Sequence, residues 1–298
     1  MSMPRNVFMS PDAKASALPD ANKMECEVVV TKNGESAIRD RLSGETMHPM
    51  GPGLESRIVY LEPSRLEARL REGGPPLVLL DVGLGAATNA IGAWRISESL
   101  PESARKLEIV SFEHDLSALK LALHPDHRAA FGYANAADEA HVAATAIVDV
   151  GHHETKRTSW RLSFGDLAHA IAHEPEGRAD VVFWDPFSRT VDPAVWSSKT
   201  LRTLRGACRD GVTVHTYSAA TGVRAAFLLS GFAVGVGRST GLHGETTVAA
   251  MKPADLETPL DRSWLTRLER SSIPFLPDVE EPAAAMTFIR ELPQFQAD

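Results

Sequence analysis

Large apolar residues fall into short unbroken runs that alternate with stretches of three- and four-residue spacing, most regularly from Leu77 onward. Leu77-Val-Leu-Leu80 leads into Asp81, Gly83 and Gly85 stand two apart, and small residues open a helical pattern over 86–97. A continuous apolar run predicts a parallel strand buried on both faces, and glycine after it lets the chain turn tightly beside a ligand. Further strands are predicted at 107–112, 160–164, 179–184 and 212–217, with 231–236 and 246–251 as the last two. Helices are predicted at 116–123, 167–172 and 222–229. Asp192-Pro193 offers an N-cap and a first helical residue for another, running to 208 and ended by Asp210-Gly211. Strands alternating with helices imply an α/β fold, a mostly parallel sheet with helices on both faces.

The flanks are less regular. Residues 1–24 are polar and read as a flexible arm. Residues 27–31 and 36–41 form a hairpin about Asn33-Gly34, and 43–53 is too rich in Gly and Pro for a regular element. Helical pieces follow at 54–60 and 63–70 before the Gly73-Gly-Pro-Pro76 break. Residues 126–157 are irregular, with a helix around 138–146, and the tail holds one helical piece near 263–268. The expected organisation is an arm (1–24), a hairpin and lead-in (25–76), a core (77–252) and a tail packed on that core (253–298).

At 298 residues, 43% hydrophobic and 23% charged, the chain has ample material for a buried core. No apolar run approaches the roughly 18 residues of a membrane span, so no membrane partner is expected. No apolar export signal precedes residue 25, and Cys26 and Cys208 show neither disulfide nor metal-ligand spacing; the expected location is the cytoplasm. A net charge of −8 argues against a protein whose whole surface binds nucleic acid, while leaving room for a local basic patch.

In an open α/β sheet, ligands bind at the carboxyl ends of the strands. Those ends carry Asp81 with Gly83 and Gly85, then Glu113, Asp166, Asp185-Pro-Phe187 and Tyr217-Ser218. Carboxylates there suit ribose hydroxyls and an exocyclic base amine, both hydrogen-bond donors. A dinucleotide fingerprint wants Gly at the position of Thr88, so the loop fits S-adenosyl-L-methionine better. Glu113 stands where a ribose-binding acid belongs in either case. Asp166 fits an adenine amine and equally an N-cap. Asp185, followed by proline and an aromatic ring, could orient an amine and take its proton. The adjacent His152-His153-Glu154 do not face one way, and a solvated loop without metal is expected. Lys199, Arg202, Arg205 and Arg209 recur at helical spacing, as a solvated face or a phosphate-binding stripe.

Taken together, Val82-Gly-Leu-Gly-Ala-Ala-Thr-Asn89, Ser111-Phe-Glu113, Phe164-Gly-Asp166, Phe183-Trp-Asp-Pro-Phe187, Asp192-Pro-Ala-Val-Trp196 and Thr216-Tyr-Ser-Ala219 resemble the MnmC methyltransferase domain. Gly53-Leu-Glu-Ser-Arg57 resembles its lead-in. The resemblance covers roughly residues 44–252. It implies a class I methyltransferase, Rossmann-like fold with a seven-stranded sheet and an N-terminal hairpin extension. It further implies methyl transfer from S-adenosyl-L-methionine to the aminomethyl group of the tRNA wobble uridine. Asp81, Gly83, Gly85, Asn89, Glu113, Asp166 and Asp185 would then bind the cofactor. Asp185 and Phe187 would be catalytic, and Glu55, Arg57, Tyr217 and Ser218 would meet the substrate.

A stand-alone form is expected, with tRNA as partner and the oxidase as a separate protein. The family's Asp-Gly-Phe is replaced by Asp185-Pro186-Phe187, nearer the Asp-Pro-Pro-aromatic signature of adenine amino-methyltransferases. The family's basic late segment is reduced to Gly235-Val-Gly-Arg-Ser239, and Gly241-Leu-His-Gly-Glu245 lacks its lysines. A methyltransferase of a small-molecule amine and a silent cofactor-binding module stay open beside the tRNA reading.

Overall fold

Alternate side chains of a strand point to opposite faces, so an unbroken apolar run feeds two hydrophobic cores at once. In β4 (Leu77–Val82), where every residue is buried, Leu77 and Leu79 enter one core while Val78, Leu80 and Val82 enter the other. A computed structural model of the chain describes residues 25–240 and 244–296. The expected arm at 1–24 lies outside the described residues, as do positions 241–243 of the late segment.

The central strands β5 (Leu107–Glu113), β7 (Thr158–Phe164), β8 (Ala179–Trp184) and β9 (Cys208–Thr216) run parallel to β4 in the order β9-β8-β4-β5-β7. β11 (Thr246–Ala250) and β10 (Ala233–Gly237) extend the β9 edge antiparallel, and β6 (His152–Glu154) extends the β7 edge. One face is covered by α3 (Thr88–Glu98), α4 (Ser117–Leu123) and α5 (Glu139–Val150), through residues such as Trp94, Leu119 and Ile147. The other is covered by α6 (Leu167–Ala172), α7 (Ser198–Ala207) and α8 (Thr221–Leu229), and by α9 (Arg262–Arg270) and α10 (Pro282–Glu291) of the tail. Trp264 and Ile289 bring the two tail helices into that core.

Ahead of β4 lie a small antiparallel sheet of β1 (Cys26–Val30), β2 (Ser36–Asp40) and β3 (Thr46–Met47), then α1 (Pro52–Glu55), a π-helix (Ser56–Leu61) and α2 (Leu66–Arg71). The strand order turns back at β4, which has β5 on one side and β8 on the other. Crevices form at such a switch point.

Several expectations are corrected. The large sheet has eight strands, because His152–Glu154, expected as loop, pairs with β7 as an edge strand with exposed side chains that no hydropathy pattern marks. The Gly- and Pro-rich stretch from 43 contributes β3, held by Arg39 and Ile38 of β2. Asp192-Pro193 starts no helix. Residues 192–197 instead fold as a turn that buries Trp196, whose indole donates to the Phe187 carbonyl at 2.8 Å, and Ser197 caps α7 by accepting from the Thr200 amide. That helix ends at Ala207, so β9 begins earlier than expected. The helix expected at 138–146 extends to Val150, with Asp138 as its cap, and α10 starts on Pro282 at its first turn.

At the far end of the sheet from the crevice, Asp180 is buried and gathers Arg209, Arg105 and Arg69 at 3.2, 3.7 and 3.8 Å while accepting the Val78 amide at 2.9 Å. Its removal would leave three guanidinium groups facing one another. Asp180→Ala is expected to lower stability by about 3 kcal/mol, read as a reduced urea midpoint; an unchanged midpoint would show that the arginines repartner without cost.

Candidate active site

The loop after β4 exists because of one close approach. Gly83 adopts φ 83°, and a Cβ there would stand 2.4 Å from the Asp185 carbonyl oxygen and 2.7 Å from its carbon. Only glycine lets the ends of β4 and β8 lie this close. The Asp185 amide donates to the Val82 carbonyl, and the Gly83 amide to that of Phe112, so pairing continues past the strand ends. Gly85 (φ 51°) turns the chain again toward α3.

Above these ends is a cavity of about 540 Å³. Of the expected site residues, Gly83, Gly85, Glu113, Asp166, Asp185, Phe187, Glu55 and Tyr217 line it. Asp81, Asn89, Arg57 and Ser218 do not. Asp81 is buried behind the loop, where its Oδ2 accepts from the Ser111 hydroxyl at 2.7 Å and that hydroxyl accepts from the Trp160 indole. Burial pushes its carboxyl up to about 7 against the Ser111 hydrogen bond, with the charges of Asp185 and Glu113 adding to the rise. Asn89 reaches the site indirectly, donating its amide to Asp185 Oδ2 at 2.7 Å. Ser218 presents its carbonyl to the Thr247 hydroxyl.

The Glu113 carboxylate is pre-set by its own turn. Its Oε2 accepts the Gly85 amide at 3.1 Å, and Oε1 accepts the amides of His114 and Asp115. Asp166 caps α6 by accepting the His169 amide at 2.8 Å and also lines the cavity. The Tyr217 hydroxyl donates to the Pro186 carbonyl, fixing the loop that follows β8.

His48, which no sequence motif marks, is the titratable partner of Asp185. Its Nε2 lies 2.8 Å from Asp185 Oδ2, and its backbone is left-handed (φ 50°). Burial alone would lower the imidazole pKa. The charge and hydrogen bond of Asp185, with Glu55 and Asp81 behind it, outweigh burial and raise it to about 9. His48 is therefore an imidazolium at neutral pH, paired with the Asp185 carboxylate. The Tyr60 hydroxyl is buried beside the same carboxylate, and burial first, then the charge and hydrogen bonding of Asp185, keeps it protonated. No spacing pattern marks His48; it stands alone in a Gly- and Pro-rich loop 137 residues before its partner. A second unanticipated tie is Glu45, whose carboxylate accepts the Ser188 amide at 2.9 Å and fastens the small sheet to the Asp185 loop.

The cavity wall thus carries Glu45, Glu55, Glu113, Asp166, Asp185 and Asp192 against His48 and His114, and among the described residues no lysine or arginine lines it. Such a wall favours a cationic ligand over a phosphate. A family model described as S-adenosyl-L-methionine-dependent methyltransferase matches residues 134–252. The crystal structure of MNMC2 from Aquifex aeolicus superposes with a TM-score of 0.71 at 25% identity, covering 90% of this chain and 85% of that one. This chain is an S-adenosyl-L-methionine-dependent methyltransferase.

It has the class I methyltransferase fold and is similar to MNMC2 over most of its length. The bifunctional protein MnmC of tRNA 5-methylaminomethyl-2-thiouridine biosynthesis from Methylibium petroleiphilum is 28% identical over 232 residues, 74% of this methyltransferase and 34% of that relative. The protein of the same name from Leptospira borgpetersenii is 24% identical over 253 residues, 81% of this chain and 38% of its own. The methyltransferase spans about a third of the length of these curated relatives. Among the described residues, no helix is long and apolar enough to cross a membrane.

The His48–Asp185 pair has a definite pH signature. A histidine raised from 6.5 to about 9 contributes stability that is fully present below pH 6.5 and lost as pH rises through 9. The difference in melting temperature between the wild type and His48→Gln is expected to shrink steadily from pH 6.5 to 9.5. A difference constant over that range would show that the pair is not ionised as described.

Proposed function

We propose that the methyltransferase acts on an amine nitrogen, that of the 5-aminomethyl group on a tRNA wobble uridine, with Asp185 as the residue that orients it. The observation that carries this reading is the state of the Asp185 carboxylate. His48 and Asn89 both bond Oδ2, so the carboxylate is held in one orientation at the cavity wall, where an incoming N–H can reach it. An amine accepted there has its lone pair directed away from Asp185, and the proton it releases on becoming methylated has a carboxylate within reach.

S-adenosyl-L-methionine supplies an electrophilic methyl group on a sulfonium. The residues present fit it. Glu113, fixed by three backbone amides, matches a ribose diol, and Asp166 matches an adenine amine. Phe112, Leu167 and Ala168 give the cavity an apolar wall for a base, and Gly83 and Gly85 let backbone approach the ligand where a side chain could not. The acidic wall is suited to both the sulfonium and an ammonium acceptor. Phe187 stands beside Asp185 at the same wall, in reach of a flat base. The names of the curated relatives support a tRNA nucleotide as the acceptor.

Asp185→Asn keeps the shape and removes the charge. It is expected to lower kcat for methyl transfer by about a hundredfold or more while leaving cofactor affinity within a few-fold; wild-type turnover would remove the proposed role. Glu113→Ala is expected to weaken S-adenosyl-L-methionine binding by about tenfold or more, because it loses charge-assisted hydrogen bonds worth about 1.5–3 kcal/mol. Calorimetry showing unchanged affinity would place the ribose elsewhere.

A further inference from the structure

A second and larger hollow, about 960 Å³, lies on the other side of α1 from the cavity. The two share a wall. Glu55 lines the cavity, whereas Pro52, Gly53, Ser56 and Arg57 line the groove, and Thr88 at the start of α3 lines it close to Gly85. Arg57, expected to meet the substrate, lines this neighbouring surface.

The charge changes sign across that wall. Five arginines line the groove, Arg57, Arg65, Arg71, Arg95 and Arg238, against three glutamates, Glu35, Glu62 and Glu67, in a chain of net charge −8. Glu62 orients two of them, accepting from Arg57 at 2.8 Å and from Arg238 at 2.6 Å. Arg238 is the basic residue of the shortened late segment, and this contact carries it across to the π-helix. Arg71 rests on Glu67 at 2.8 Å, and Arg95 donates to the Gly132 carbonyl at 2.6 Å. Arg65 differs from these. Its guanidinium has no hydrogen bond or ion pair among the described residues, and its backbone is left-handed (φ 53°) at the N-cap of α2. A non-glycine residue held in that region is strained, and such strain collects at functional positions. Between the arginines, Ile91 and the ring of Phe131 form an apolar floor.

Guanidinium groups match phosphate oxygens in pairs, and aromatic or apolar surface takes the faces of unstacked bases. The acid-walled cavity repels phosphate and attracts an amine; the groove does the reverse. We propose that the arginine groove seats the single-stranded RNA backbone flanking the acceptor nucleotide, while α1 divides it from the cavity that receives the base. This rests on the reading of the acceptor as a tRNA nucleotide. The two surfaces sort one ligand by charge, with the aminomethyl base drawn past Glu55 and the phosphates kept with the arginines.

The test is binding and methylation of an anticodon stem-loop RNA carrying the 5-aminomethyl uridine, over a series of salt concentrations. Arg65→Glu and Arg71→Glu are each expected to weaken binding by about fivefold and to flatten the dependence of log K on log salt by about 0.7, the single-strand value for one phosphate contact. Arg65→Lys keeps the charge at the strained position and should keep the salt dependence. kcat at saturating RNA and affinity for S-adenosyl-L-methionine should be unchanged in all three. If the wild type methylates the stem-loop and both charge reversals retain its affinity and salt slope, the groove proposal is overturned and the acceptor reading survives. If the wild type binds S-adenosyl-L-methionine yet neither binds nor methylates the stem-loop, both are overturned.

Discussion

The Asp185 carboxylate is where three distant parts of the chain are tied to one another. His48 reaches it from the loop after β3, Asn89 from the first turn of α3, and the Asp185 backbone itself is packed against Gly83 with no room for a Cβ between. Each tie constrains the others. The tight turn at Gly83 brings α3 close enough for Asn89 to bond, and the imidazolium closes the open side of the carboxylate. What results is an acceptor held in a single orientation before any ligand arrives, which lowers the cost of ordering it during reaction. The price is a left-handed His48 and a Tyr60 hydroxyl buried beside that carboxylate.

Charge is laid out to match. The strand ends and the small N-terminal sheet supply carboxylates to the cavity, while five arginines line the groove beyond α1 and three others surround Asp180 at the opposite end of the sheet. In a cavity of this size, six acidic side chains outnumber the two histidines, with no lysine or arginine among the described residues that line it, and give a field that a sulfonium and an ammonium both find favourable. The overall acidity of the chain, which by itself argues against a nucleic-acid partner, leaves room for one local surface lined by five arginines.

Much of the fold was legible in the residues because the core strands are continuous apolar runs. The strand ends at Gly83, Glu113, Asp166 and Asp185 stand where the sheet places its crevice, and all four line it. What escaped had physical reasons. β6 is a three-residue edge strand of exposed polar side chains, and β3 is a two-residue strand in a Gly- and Pro-rich loop, so neither carries a hydropathy signal. The Asp192-Pro193 start signal was overridden by burial of Trp196, a tertiary contact invisible to local capping rules. Asp81 and Asn89 have the right types at the right spacing, yet one bonds behind the loop and the other bonds to Asp185, because direction depends on how the Gly83 turn is packed. His48 escaped because its partner is 137 residues away.

The central claim is that an amine is presented to the cofactor by Asp185. The most direct measurement is mass spectrometry of the wobble nucleoside after the purified chain is incubated with S-adenosyl-L-methionine and tRNA bearing the unmethylated 5-aminomethyl group. The expected result is a gain of one methyl group on the aminomethyl nitrogen, lost when Asp185 is replaced. A cofactor-bound protein that leaves this nucleoside unchanged, or that methylates it on a ring or ribose atom, would contradict it.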